Sequence, residues 1–491
     1  MGKKIDRNTI LRDYSELKQL ALACAEKKDF DKAIFYIERA AILMYNSNII
    51  YVDYELENIL HNISDQILIN KTTEQQQNNR IAFYDYFVLD NRGLTEQYLE
   101  ALASFDYEVL FIGCRCDDKS KEIYKKLKKN NIDYKIVLEK DDIKKSRIIY
   151  QLISDFSPKV IIAHTSPWDV AGLIAINAFK DSCRRYLINI TDHAFWLGAT
   201  VFDYFFEFRD YGYNISKEYR KINETKLLKL PYYPIINTSV LFQGFDFATE
   251  GKKLILSGGS IYKIQGSNTF LEIVKYILDT YDDAIFLFLG SGDTSVLERF
   301  VNQNNYQNRF YCRRERKDIY EVFKHCYFYL NTYPLVGGLM TQYACVAGKL
   351  PLSLNDFDEH SDNCVSELLI DGDFPNIQFS NVNELKKKID IYMTNPQLLY
   401  KDCEKIKNAV ITSDKFNIFF HEYIEADLPK SVVVFNSYAV DIYKFAEQYM
   451  ARFNENKGMS YYQLFVDRKL RTLSHFPGYY IKLAKNRILQ K

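Results

Sequence analysis

Three short segments place glycines where a phosphate would need them. Ser257 to Gly266 reads SGGSIYKIQG, with two glycines directly after an apolar run and a lysine shortly beyond. Without side chains, Gly258 and Gly259 let backbone N–H groups approach an anion closely, and Lys263 can add positive charge to the same anion. A plain turn with a solvated lysine would read the same way, so the neighbouring segments carry weight. Phe288 to Asp293 reads FLGSGD and sets Gly290 and Gly292 on either side of Ser291, again after an apolar run. Leu330 to Pro351 reads LNTYPLVGGLMTQYACVAGKLP. Gly337 and Gly338 stand there just ahead of Leu339, Met340 and Thr341, where a helix opens that stops at Gly348. A helix N-terminus presents unpaired N–H groups and the positive end of the dipole, which suits a diphosphate.

Groups able to move a proton lie earlier in the chain. Asp85, His164 and the run Thr191-Asp192-His193 each follow an apolar run. A base that deprotonates a hydroxyl needs a pKa near the working pH and reach of about 3 Å. His193 suits that role by type and position, against the plainer reading of a structural histidine. Asp192 is read as either the base itself or the group that orients His193.

These segments need elements to hold them. From Arg80 onward, short apolar strands alternate with helices: strands at 81–85, 108–112, 134–138, 160–164, 186–190 and 202–208, helices at 95–103, 119–129, 144–154 and 170–179. The pattern restarts at Lys252, with strands at 253–257, 284–289, 309–312 and 328–330. Such alternation predicts two parallel, doubly wound sheets, and ligands in such sheets sit beyond the carboxyl ends of the strands. Ahead of them, Leu17, Leu20, Ala21 and Cys24 fall on one helical face and Phe30, Ala33, Ile34, Ile37, Ala40 and Ala41 on the next, like one tetratricopeptide unit. A single unit cannot bury its own face and is expected to pack on the domain that follows. The tract from Thr72 to Asn79 reads as a linker.

Composition narrows the function. The 491 residues suit two or three domains, and 64 basic residues balance 64 acidic ones. Such a balance gives no global field for nucleic acid. Nine dispersed cysteines read as reduced thiols, and no ligand spacing for zinc occurs. No stretch of roughly 18 apolar residues predicts a membrane span, and neither a signal peptide nor a myristoylation pattern is read at Met1 to Asp6. The last 32 or so residues interleave Lys482, Lys485, Arg487 and Lys491 with Phe476, Tyr479, Tyr480, Ile481 and Ile488. That mixture suits either a packing helix or the surface of a membrane carrying a lipid-linked acceptor, through residues 460–491.

Over about residues 200–375 the chain resembles the GT-B glycosyltransferases, in particular the O-linked N-acetylglucosamine transferase family and its bacterial cytoplasmic relatives. Tyr262-Lys263-Ile264 resembles the end of that family's first donor-domain loop, whose lysine binds the donor diphosphate. Lys226 to Pro231 resembles the segment before its interdomain linker. Asn308-Arg309-Phe310 resembles the strand before its nucleobase loop, which places Glu315 and Arg316 near the base. Tyr343 to Gly348 resembles its phosphate-contacting helix, Gly198 to Tyr204 its cleft-lining segment, and Glu367 to Gly372 the Glu-Leu-Ile-x-x-Gly element of many GT-B donor domains. Two departures stand out. Gly338-Leu339-Met340 replaces a His-Thr-Thr stretch, and Tyr343 replaces an acidic ribose contact, which leaves the donor open.

The resemblance implies an α/β fold of two Rossmann-like domains facing across a cleft, with an N-terminal helical segment and a helical C-terminal tail. The expected limits are 1–74 for the helices, 80–245 for the acceptor domain, 252–415 for the nucleotide-sugar domain and 416–491 for a tail packing partly on the acceptor domain. The expected activity is transfer of a sugar from a nucleotide donor, UDP-linked, to a bacterial surface-glycan precursor, a lipid-linked glycan or a protein. Donor contacts fall on Gly258, Gly259, Lys263, Gly290, Glu315, Arg316, Gly337, Gly338, Leu339, Met340, Thr341 and Glu367. No cofactor and no metal are expected, since no Asp-x-Asp motif stands where a GT-A enzyme would need one. The chain is expected in the cytoplasm or on the inner face of the membrane, alone, with a second copy or with a partner glycosyltransferase subunit. The rival reading is a catalytically degenerate partner that stabilises such an enzyme.

Overall fold

The computed structural model describes residues 6–69, 77–90, 95–355, 361, 364–370, 373–443 and 446–447. Residues 72–76 of the expected linker, Asp371-Gly372 and the basic, aromatic stretch 460–491 lie outside the described residues. The chain divides into two compact units, residues 1–230 with 417–491, and residues 231–416.

The first unit opens with three helices, α1 Arg7–Glu26, α2 Phe30–Ser47 and α3 Tyr54–Ile67. Asp6 and Asp53 cap α1 and α3 by accepting backbone N–H bonds, which satisfies donors a helix start leaves open. Helix α2 is buried from Ala33 to Met44, far more than one amphipathic face requires. It is walled in by the other two helices and by the sheet domain behind them.

That domain is a parallel seven-stranded sheet of β1 Gln77–Asp85, β2 Glu108–Gly113, β3 Asp133–Ile136, β4 Pro158–His164, β5 Arg184–Ile188, β6 Tyr204–Glu207 and β7 Leu227–Lys229. Its order is β3-β2-β1-β4-β5-β6-β7, so the winding reverses between β1 and β4. The helices are α4 Thr95–Ala103, α5 Lys121–Lys129, α6 Asp142–Phe156, α7 Val170–Asn177 and α8 Asp210–Glu218. Helix α7 (VAGLIAIN) is apolar around its circumference and buried at every residue, because α3 and α6 pack on it from outside the sheet. Strand β1 starts inside the expected linker, at Gln77.

The second unit is a six-stranded sheet of β8 Lys253–Ser260, β9 Ala284–Ser291, β10 Phe310–Arg313, β11 Phe328–Leu330, β12 Pro351–Leu354 and β13 Gln378–Phe379, in the order β10-β9-β8-β11-β12-β13. Every paired strand is parallel, and its apolar runs are buried on both faces. Its helices are α9 Thr269–Thr280, α10 Ser295–Asn304, α11 Ile319–Lys324, α12 Gly338–Val346, α13 Val382–Thr394 and α14 Pro396–Ile406. Residues 231–251 pack with this unit ahead of β8: Tyr343 donates to the Ile235 carbonyl at 2.7 Å, and Phe247 stacks on Tyr311 at 3.8 Å.

The chain returns to the first unit along α15, Ser413–Glu425. Tyr423 donates to the Lys229 carbonyl at 2.9 Å, and Tyr107 meets His421 at 2.7 Å. The expected tail begins as this helix; around the expected break near Pro429, residues 426–441 have no helix and run over the first unit as an extended strap. Phe435 stacks on Tyr213 at 4.1 Å, Asn436 donates to Asp210 and Tyr219 donates to the Val440 carbonyl. Among the described residues no helix is long and apolar enough to cross a membrane.

Candidate functional site

The carboxyl ends of the central strands of the second unit form one continuous edge. Strands β8 and β9 run side by side in register through Gly258↔Leu289, Gly259↔Gly290 and Ser260↔Ser291. This pairing explains the glycines. A Cβ at Gly290 would lie 1.9 Å from the Gly259 carbonyl oxygen, and one at Gly258 would lie 2.5 Å from that of Leu289. Gly259 itself has φ +132°, a backbone state that side chains oppose. The chain then turns through a short 3-10 segment, Ile261–Ile264, which carries Lys263.

The facing loop comes from β11. Asn331, buried, organises it through the hydrogen bonds of its side-chain amide. Its amide nitrogen donates to Thr341 at 2.8 Å and to Ser353 at 3.0 Å, and its oxygen accepts from the backbone of Gly337 at 2.8 Å and Thr332 at 3.0 Å. Gly337 is thereby held at the start of α12, which has no side-chain cap among the described residues. The two loops are tied together: Lys263 donates to the Val336 carbonyl at 2.8 Å, and Leu335 donates to the Lys263 carbonyl at 3.2 Å. On the other flank, Ser291 donates to Glu315 at 2.6 Å at the mouth of a cavity of about 910 Å³ that Gly290, Gly292, Asn302, Cys312 and Arg314 also line. The arrangement can hold an anion against open backbone, beside one ammonium and a helix start.

The corresponding edge of the first unit is built from buried charge. The loop after β5 carries Asp192, buried, and His193, whose side chain is 24% exposed. Asp192 accepts two bonds from the Arg209 guanidinium, at 2.6 and 3.0 Å, and lies 3.4 Å from the His193 ring nitrogen. Burial pushes this carboxyl up, but Arg209 and His193 outweigh it and hold it well below the usual carboxylate range. Arg220, fully buried, donates from one nitrogen to the carbonyls of Asp192 at 2.9 Å and Ala194 at 2.6 Å. Its other nitrogen meets Ser216 at 3.2 Å, and Ser216 in turn donates to Glu207 at 2.5 Å. Burial lowers the Arg220 guanidinium to about 10 and raises the Glu207 carboxyl to about 7. Gly212 lets α8 approach, since a Cβ there would lie 2.5 Å from the Glu207 carboxylate. At the winding reversal, Asp85 and His164 are register partners and form a buried pair at 3.1 Å, with Thr95 donating to Asp85 at 2.6 Å.

Two parallel sheets with this winding also occur in solved structures of low sequence identity. The chain superposes on a glycosyltransferase from Rickettsia africae with TM-score 0.53 and 13% identity, over 70% of this chain and 97% of that one. Anabaena HepE, solved in complex with UDP and glucose, gives 0.52 at 10% identity over 70% and 98%. The Thermobaculum terrenum O-GlcNAc transferase gives 0.50 at 13% identity over 84% and 80%. The chain has the GT-B fold. No protein-family model and no curated protein matches the sequence.

On this GT-B frame, most of the residues read as donor contacts fall together. Gly258, Gly259, Gly290, Lys263, Gly337 and Gly338 share one edge, and Glu315 joins it through Ser291. Glu367 lies beside Leu368, whose side chain would meet a Cβ at Gly338 at 3.0 Å. Arg316 has other partners as well: its guanidinium pairs with Asp318, donates to the Gly244 carbonyl at 2.6 Å and lies over Phe242 and Phe245, and so anchors the segment ahead of β8. Leu339 and Met340 pack into the apolar cluster under the sheet edge, and the Thr341 side chain is spent on Asn331 and the Gly337 carbonyl. For these three, contact with a ligand falls to the backbone. Asp192, read as base or as the group that orients His193, is buried and held charged by Arg209. Sequence reasoning missed Asn331, Ser353 and Arg220. A polar residue ending an apolar strand was the one signal for Asn331; Arg220 had none, because its partners lie about 26 to 29 residues away.

Proposed function

We propose that this chain transfers a sugar from a nucleotide-sugar donor to a hydroxyl-bearing acceptor, without a metal ion. The observation that carries the reading is the paired strand end Gly259↔Gly290 with Lys263 bonded to the residue before Gly337. Open backbone, one ammonium and a helix start converge there, as a leaving diphosphate requires. The UDP and glucose bound in the fold neighbour HepE support UDP as the nucleotide. In this reading the second unit binds the donor and stabilises charge growing on the leaving diphosphate. The first unit supplies His193 as the acceptor base, with Asp192 orienting it. The acceptor class is a surface-glycan precursor, lipid-linked glycan or protein.

The test is UDP binding by calorimetry, followed by turnover against a panel of nucleotide sugars with and without chelator. Lys263→Ala should lower turnover about a hundredfold, the weight of one donor to a developing oxyanion, on the order of 3 kcal/mol. Loss of activity on chelation would overturn the metal-independent reading. One observation favours the second reading, a degenerate partner subunit: Leu339 and Met340 are packed as apolar side chains where the resemblance has polar ones. UDP binding without turnover of any donor would select it.

A further inference from the structure

The loop that carries His193 is gripped from two sides, and one side is the N-terminal helical segment. Glu57 on α3 is fully buried. Its carboxylate accepts the backbone N–H of Gly198 at 2.9 Å, Ala199 at 3.0 Å and Thr200 at 2.7 Å, and the Thr200 hydroxyl at 2.5 Å. Four donors on one carboxylate nearly exhaust its lone pairs. Burial pushes this carboxyl above its ordinary range while those donors pull against it. His61, one turn further along α3, meets Thr200 at 2.7 Å and Asn177 at 2.5 Å.

The opposite side is Arg220, on the carbonyls of residues 192 and 194. It too is tied to the helical segment. Tyr54, the first residue of α3, donates to the Arg220 carbonyl at 2.6 Å, and the Tyr51 ring lies 5.4 Å from its guanidinium. Between the grips lies Trp196, buried, with the guanidinium 4.7 Å above its ring. The loop from 191 to 200 has no regular structure of its own, yet its N–H groups at one end and its carbonyls at the other end are held by buried charge.

We infer that helix α3, with Tyr51 just ahead of it, is the outer jaw of a clamp on the His193 loop, and that Glu57 is a positioning residue for His193. This rests on the sugar-transfer reading above for its catalytic consequence, though not for the clamp itself. The helix then serves the reaction from within the first unit by holding a base at working distance. A base displaced by an ångström loses rate without loss of donor binding, because the donor contacts belong to the second unit.

The experiment uses the full chain as wild type, Glu57→Gln and the milder Thr200→Val. Glu57→Gln keeps size and replaces one carboxylate oxygen by an NH2 group that faces two of the four donors. Expected are a fall in kcat of about tenfold to a hundredfold, unchanged UDP affinity, a shifted pH profile of kcat and faster hydrogen exchange across residues 191–200. Thr200→Val should show the same signs, smaller, and decides the matter if Glu57→Gln does not fold. Wild-type kcat, pH profile and exchange in the variants would overturn the inference. If wild type neither binds UDP nor turns over any donor, the sugar-transfer reading fails, and exchange over 191–200 alone then upholds or overturns the clamp.

Discussion

The two strand-end edges are built on the same kind of sheet and solve different problems. The edge of the first unit is ionic: Arg209 on Asp192, Arg220 on backbone carbonyls, Asp85 against His164, and Lys229 on Asp210 at 2.6 Å, all buried. The edge of the second unit carries Lys263 and Glu315, but the bonds that build it are neutral. Its framework is glycine backbone plus the amide and hydroxyls of Asn331, Thr341 and Ser353, with Lys263 as its ammonium at the loop junction. Buried charges are costly unless each is paired, so they serve where a loop must not move. A framework of neutral bonds leaves the local field to the ligand, Lys263 and Glu315. The first edge therefore reads as a rigid support for a side chain, the second as a receptacle for an anion.

The sharpest way to break this contrast is Arg220→Met. It strands the carbonyls of Asp192 and Ala194 and a buried carboxyl at Glu207, and should cost about 3–5 kcal/mol in denaturant unfolding. A cost below about 1 kcal/mol would show that the first edge does not depend on its charge. Gly290→Ala attacks the second edge by shape, since its Cβ would stand 1.9 Å from a carbonyl oxygen. It should cost about 3 kcal/mol and abolish UDP binding. Retained binding would mean that the register of β8 and β9 is not what forms the site.

The next test uses pH. Glu207 is raised from 4.5 to about 7 in the folded chain, so the native state binds a proton that the unfolded chain releases. Its stabilising contribution is full below the unfolded value and is lost as pH rises through about 7. Glu207→Gln should remove that loss, on the order of 3 kcal/mol between about pH 4.5 and 7. Equal slopes in wild type and variant over that window would refute it. The smallest effect is expected from Asn331→Leu, about 2 kcal/mol for the buried partners it leaves unpaired. It should act without pH dependence, in contrast to the first edge.

Much of the fold was legible along the chain. Thr95–Ala103 and Phe328–Leu330 match their predicted limits, because a helix period and a short apolar run between turns are local signals. Three short strands, Leu227–Lys229, Pro351–Leu354 and Gln378–Phe379, were missed, since so few residues carry no period and these are not set off as separate apolar runs between turns. The glycines of the second edge were readable as glycine-rich strand ends, but their pairing in register was not. Nor was the Arg316–Asp318 pair that ties the segment ahead of β8 to its loop.

By itself, then, the sequence determined two doubly wound sheets and the glycine-rich ends of their strands, because apolar periodicity and backbone freedom are written in neighbouring residues. Only the tertiary structure decided that Gly259 abuts Gly290, that Asn331 holds the start of α12 and that Glu57 grips a loop about 140 residues away. Those contacts depend on which strands come to lie side by side and on burial that turns an ordinary carboxylate or amide into an obligatory partner.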